Sequence, residues 1–155
     1  PNNYSCSLLM AKLALDAYGI TKPPDREIAQ AIQLIDRKGA DQWPLFEGLE
    51  SLGVVCLADD GRTIQDVCRE IASYKAFCIM SHQFYVSTLH QWKKVTAGHY
   101  SGGCCFDTHL YSADGSYKGG KTRFPLSSVD DLFYDVEMKT GSLVKGFGII
   151  VPIRV

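Results

Sequence analysis

The run from Cys6 to Tyr18, CSLLMAKLALDAY, is the feature that most constrains how this chain folds. Its apolar residues fall on nearly every side of a helix, and Gly19 follows as a left-handed C-terminal cap. A helix that is apolar all round belongs in the middle of a domain, with other elements packed about it. At 155 residues the chain is long enough to build that surround, as one domain or two closely joined halves.

The rest divides by texture. After Pro23-Pro24, with Asp25 as the cap, Ile28, Ile32 and Ile35 share one helical face until Gly39. A third, short helix is expected from Pro44 to Leu52, ending at Gly53, and a strand over Val54 to Leu57 before the Asp59-Asp60-Gly61 turn. Thr63 then caps a helix with Ile64, Val67, Cys68 and Ile71 on one side. From Ala76 onward the segments AFCIM, FYVSTL, WKKV, CCFDTHLYS and GFGIIVPI are β-branched or aromatic between glycines, which predicts about five to seven strands. The whole reads as α+β: an N-terminal helical half over about residues 1–75, packed against a C-terminal antiparallel β-sheet half over about 76–155.

Charge and cysteine usage exclude several classes. A net charge of −1 supplies no electrostatic reason for a nucleic-acid or anionic-membrane partner. No apolar run reaches the roughly 18 to 20 residues that span a bilayer, and no signal-peptide pattern opens the chain. It begins at Pro1 within what reads as a structured loop, as expected of a piece of a longer polypeptide. None of the six cysteines is spaced C-x-x-C, so neither a metal site nor a cofactor is expected. A chain this rich in core residues needs no disulfide staple; a reducing compartment is expected, with most thiols acting as small buried apolar groups.

Three residues form a chemical constellation. Cys6 opens the buried helix directly after the polar loop Pro1-Asn2-Asn3-Tyr4-Ser5, where backbone N–H groups and the helix dipole favour a thiolate. Alone, a cysteine there is more often a buried structural residue. His99 and Asp114 flank two strand-like runs; with a tight hairpin centred between Phe106 and Asp107, facing residue numbers sum to 213 and His99 faces Asp114. An acid beside an imidazole selects its tautomer and stabilises the imidazolium, although a surface hairpin with an incidental ion pair accounts for the same spacing. His82 and His90 lack a comparably placed acid, and His109 has only Asp107 two residues away on the same strand, a weak orienting arrangement; these histidines read as exposed polar residues. The order Cys, His, acid is the papain-like order, and no G-x-S-x-G element competes.

The stretch PNNYSCSLLMAKLAL resembles the nucleophile loop and central helix of viral papain-like cysteine proteases, those of coronaviruses and the leader protease of foot-and-mouth disease virus. GHYSGGCCFDTHLYSADG resembles the coronavirus segment around its histidine and aspartate, SSVDDLFYDVE the strand that follows, and RKGADQW the corner that receives extended substrate residues. The short interval from Cys6 to His99 leaves no room for the zinc-binding fingers subdomain of coronavirus enzymes, so a compact, leader-like build is expected. Ser7 stands where these enzymes carry Trp or Tyr. The asparagine that completes the leader enzyme's oxyanion hole would fall at Pro1, so Asn2, or else Asn3, takes that part only with a shorter loop. Coronavirus-like sequence at leader-like size points to a torovirus or similar nidovirus.

The resemblance implies a protease with Cys6 as nucleophile, His99 as base and acid, and Asp114 as orienting group. It implies substrates with small residues, often Gly-Gly, at the scissile bond, bound along Gly39, Asp41, Trp43, Gly98 and Tyr100. Gly39 reads equally as a helix cap, and Trp43 as core. The implied partners are the viral polyprotein and ubiquitin or ubiquitin-like modifiers, in the host cytoplasm, within a larger viral polyprotein. A bacterial effector or double-glycine cysteine peptidase shares the same order and preference. A non-catalytic ubiquitin-binding or host-interaction module on the same fold is the reading from another class.

Overall fold

The computed structural model describes residues 5–36, 38–86, 92–106, 109–113 and 121–153. Helix α1 (Ser5–Tyr18) is the expected central helix, and Gly19 follows at φ +79°. Met10, Ala11, Ala14, Leu15 and Tyr18 are all buried. Helix α2 (Asp25–Ala31) is shorter than its isoleucine spacing predicts. The chain leaves the helix at Ile32, Gln33 takes φ +53°, and Ile35 pairs with Gly39 in an isolated bridge with its side chain exposed. The local period therefore ran past the true end, because Ile32 still reaches the core while Ile35 does not.

Helix α3 (Gln42–Ser51) begins two residues before Pro44, with Asp41 at the N-cap. Strand β1 (Leu57–Asp59) precedes helix α4 (Ile64–Tyr74), which Thr63 and Asp66 close in a reciprocal capping box. Among the described residues seven more strands follow: β2 (Ala76–Val86), β3 (Trp92–Phe106), β4 (His109–Ala113), β5 (Lys121–Pro125), β6 (Tyr134–Val136), β7 (Leu143–Lys145) and β8 (Gly148–Pro152). Six form an antiparallel sheet in the order β1-β8-β2-β3-β4-β5, and β6 and β7 form a separate hairpin. Strand β1 comes from the helical front, yet it closes one edge of the sheet against β8.

The sheet is covered on both faces. Ile79, Ile149 and Val151 join the core around α1, α2 and α3, whereas Cys78, Met80, Leu110 and Ile150 join a second core with Ile64, Val67 and Ile71 of α4. The expected division, helices on one side and sheet on the other, is corrected here: α4 lies on the opposite face from α1. Alternate residues of β2 and β8 serve opposite cores, which is why AFCIM and GIIVP read as unbroken apolar runs.

Two further expectations are corrected. In the β3–β4 hairpin Gly102 faces Ala113 and Cys105 faces Leu110, so facing numbers sum to 215, two more than the tight turn predicts. Among the cysteines, Cys68 is disulfide-bonded, so the fold does carry a cross-link, while Cys6, Cys56, Cys78 and Cys104 are thiols.

Candidate active site

Cys6 is the second residue of α1, in the first turn, where backbone N–H groups lack intrahelical acceptors and favour an anion. Its side chain is 9% exposed and packs in the same core cluster as Tyr100. Helix α1 lies against β3 and β8. At Gly102 a Cβ would stand 3.2 Å from Leu13 and 3.5 Å from Met10 Sδ, so the glycine lets helix and strand approach closely.

Strand β3 supplies the second part. His99 pairs with His82 of β2, and beyond that pair Gln83 alone faces Val95 to Gly98 before pairing resumes at Phe84 and Lys94. His99 is thus the first residue after a wide bulge that ends in Gly98, a feature that re-aims a strand and recurs beside active sites. The His99 side chain lies outside the described residues, as do Asn2, Asn3 and Asp114. A register longer by two preserves the parity on which the pairing of His99 with Asp114 rests.

Tyr100 connects the two parts. Its hydroxyl donates to Ala40 O at 2.9 Å, and its ring is buried. Burial pushes the phenol well above its ordinary range, and Asp135, Cys6 and Asp41 push the same way. The Cys6 thiol and the residue directly after His99 therefore occupy one corner of the molecule.

The Asp41 carboxylate, expected to bind substrate, is engaged within the protein itself. Asp41 Oδ1 accepts from Met138 N at 2.7 Å and Oδ2 from Lys139 N at 3.1 Å, so both oxygens of a buried carboxylate hold the turn after β6. This diversion is why Asp41 makes no side-chain bond to the helix it precedes. Gly39 is buried at φ +101°. Trp43 is half-exposed and packs edge-on against Phe46 and Phe147. An open groove of about 660 Å³ runs beside Asp41, between Gln33, Leu34 and Ile35 on one side and Met138 and Lys139 on the other.

Sequence reasoning missed four residues here. His82, expected to be exposed, is fully buried with Nε2 2.7 Å from Ser101 Oγ. Ser81 donates to Asp135 Oδ2 at 3.0 Å and accepts from Gln42 Nε2 at 3.2 Å, all three buried. The strand alternation of AFCIMSHQF was the available signal for His82; nothing local announces Asp135. Among the described residues no cluster of His, Cys, Asp or Glu is arranged to hold a metal ion, and no helix is long and apolar enough to cross a membrane.

No protein-family model matches the sequence, nor does any curated protein. Solved structures match by shape. The chain superposes on the peptidase domain of Streptococcus ComA, a bi-functional ABC transporter involved in quorum sensing, with a TM-score of 0.59 at 13% identity, over 98% of this chain and 94% of that one. It superposes on a C39-like peptidase from Bacillus anthracis with a TM-score of 0.62 at 14% identity, over 99% and 92%. The architecture is therefore that of C39-like peptidase domains, consistent with a papain-like fold. Both neighbours are bacterial, and neither carries the viral part of the resemblance.

Proposed function

We propose that this chain is a cysteine peptidase cutting after small residues, Gly-Gly foremost, with Cys6 as nucleophile, His99 as base and acid, and Asp114 orienting His99. One observation carries the reading: the Cys6 thiol stands in the first turn of the central helix, in the corner shared with Tyr100, next in sequence to His99. The peptidase fold of the structural neighbours supports it.

In the reaction, His99 takes the thiol proton and the thiolate adds to the scissile carbonyl carbon. The Cys6 N–H, with Asn2 or Asn3, holds the oxyanion. The imidazolium then protonates the leaving amine as the C–N bond breaks. Water, deprotonated by His99, hydrolyses the thioester and restores the thiol. The groove beside Asp41 receives the residues preceding the scissile bond. The bacterial neighbours favour a double-glycine peptidase over a viral deubiquitinase; ubiquitin, its relatives and a viral polyprotein are the partners of that second reading.

The test is hydrolysis of a Gly-Gly peptide carrying 7-amino-4-methylcoumarin, beside the same reporter on ubiquitin. Cys6→Ala and His99→Ala should each lose at least about 10³-fold in kcat/KM, in line with other nucleophile and base knock-outs. Full cleavage by Cys6→Ala would refute the nucleophile. Absence of both cleavage and covalent labelling by a Gly-Gly electrophile would make the chain a binder.

A further inference from the structure

Three consecutive residues of the helical front each grip a different element of the sheet side. The Ala40 carbonyl accepts from Tyr100 Oη of β3 at 2.9 Å. The Asp41 carboxylate accepts from Met138 N and Lys139 N, in the turn between β6 and β7. The Gln42 amide donates to Ser81 Oγ of β2 at 3.2 Å. Ser81 faces Tyr100 across the β2–β3 ladder and donates its hydroxyl to Asp135 of β6, whose other oxygen accepts from Val136 N at 2.7 Å. Every side chain in this string is at most 9% exposed.

The donor directions close consistently. Ser81 has one proton, which goes to Asp135, so Gln42 must present its NH₂ to the hydroxyl, leaving Gln42 Oε1 buried with no partner among the described residues. A buried acceptor left unsatisfied is a cost the fold tolerates to keep this geometry. The string ends at Tyr100, which shares a core cluster with Cys6 and follows His99 in the chain.

We propose that Ala40-Asp41-Gln42 is a clasp that sets the separation of Cys6 and His99, with Tyr100 as the positioning residue through which it acts; this rests on the cysteine-peptidase reading above. The Tyr100 hydroxyl joins the strand that carries His99 to the loop at the mouth of the helical half. Without that bond the strand keeps its ladder with β2 from His99 onward, but it loses its hydrogen bond to the loop, next to a stretch already short of ladder partners between Val95 and Gly98. The Asp41 and Gln42 bonds keep the same loop in place from two other directions.

The experiment is alkylation of Cys6 by iodoacetamide, followed by mass spectrometry at pH 6 and pH 9, in parallel with peptide hydrolysis. A thiolate held by an imidazolium reacts at pH 6, whereas at pH 9 ionisation no longer needs the pair. Tyr100→Phe should react about tenfold more slowly at pH 6 and within about twofold of wild type at pH 9. Its kcat should fall by a similar factor with KM nearly unchanged. In a His99→Ala background the same change should have no further effect at pH 6. An unchanged pH 6 rate in Tyr100→Phe, with only the melting temperature lowered, would overturn the clasp and leave the peptidase reading intact. A wild-type pH 6 rate in His99→Ala would overturn the Cys6–His99 pair itself. If Tyr100→Phe does not fold, Asp41→Asn decides: losing one of two acceptors, it should show a smaller drop in the same direction, and no drop overturns the clasp.

Discussion

At the scale of single residues, surroundings separate cysteines that look alike in the sequence. Burial pushes Cys56 and Cys78 up to about 12, with a further push from the Glu50 charge at Cys56, while Cys104 is exposed. Labelling of the native protein at pH 7.5 with an aromatic disulfide reagent should modify Cys104 and spare Cys56 and Cys78; mass spectrometry of the digest reads this directly. The same thiols make stability depend on pH. Unfolded, a thiol ionises near about 8.5; folded, these two ionise near 12. The unfolded chain thus sheds protons first, so their contribution is complete below about pH 8.5 and is lost as pH rises towards 12. Tyr100, also raised, adds a loss of the same sign from about pH 10. The melting temperature should therefore fall between pH 8.5 and 11, and Cys56→Ala should flatten the pH slope of the unfolding free energy by at most about 1.4 kcal/mol per pH unit. A pH-independent melting temperature over that range would contradict these surroundings. The raised thiols were foreshadowed by composition; the diversion of the Asp41 carboxylate was not, because its partners lie about a hundred residues away along the chain.

At the scale of elements, α4 was the most legible because its signals are local. Thr63 Oγ1 accepts from Asp66 N at 3.2 Å and Asp66 Oδ2 accepts from Thr63 N at 2.9 Å, within four residues. The N–H of Ile64, the first residue of the helix, is taken by Asp130 Oδ1 at 2.7 Å, a long-range addition that no capping rule reveals. Thr63→Ala should cost about 1 kcal/mol, measured as a shift in the urea midpoint at constant slope. A shift indistinguishable from zero would show that Asp130 alone caps the helix. Helix α2 was the least legible, since its isoleucines keep the helical period after the backbone has turned away. Its packing on α3 depends on Gly48, where a Cβ would stand 2.6 Å from Ala31 O. Gly48→Ala raises helix propensity by about 1 kcal/mol yet must push the two backbones apart. The net effect should be destabilising, by about 1–3 kcal/mol in urea denaturation. A stabilised Gly48→Ala protein would mean that the helices separate freely.

At the scale of the whole molecule, Arg62 stitches the front of the chain to its end. Its Nε donates to Glu70 Oε2 at 2.6 Å, and its Nη1 reaches the carbonyls of Asp59 at 2.5 Å and Gly148 at 2.8 Å. The guanidinium thereby joins β1, α4 and β8. Arg62→Ala leaves the Gly148 carbonyl and the partly exposed Glu70 carboxylate without this donor and should cost about 2–3 kcal/mol. Arg62→Lys should recover less than half, because an ammonium lacks the guanidinium's planar fork. Full recovery by lysine, read from thermal melts, would mean that charge alone suffices.

The central place of α1, the capped start of α4 and the run of strands after Ala76 were determined by the sequence alone. Each rests on a period or a cap written within a few residues, where backbone geometry leaves few alternatives. The face of the sheet that α4 covers, the β3–β4 register and the clasp at Ala40–Gln42 were decided only by tertiary structure. Those features join residues far apart in the chain, and only burial and the completion of hydrogen bonds select among the pairings that local pattern permits.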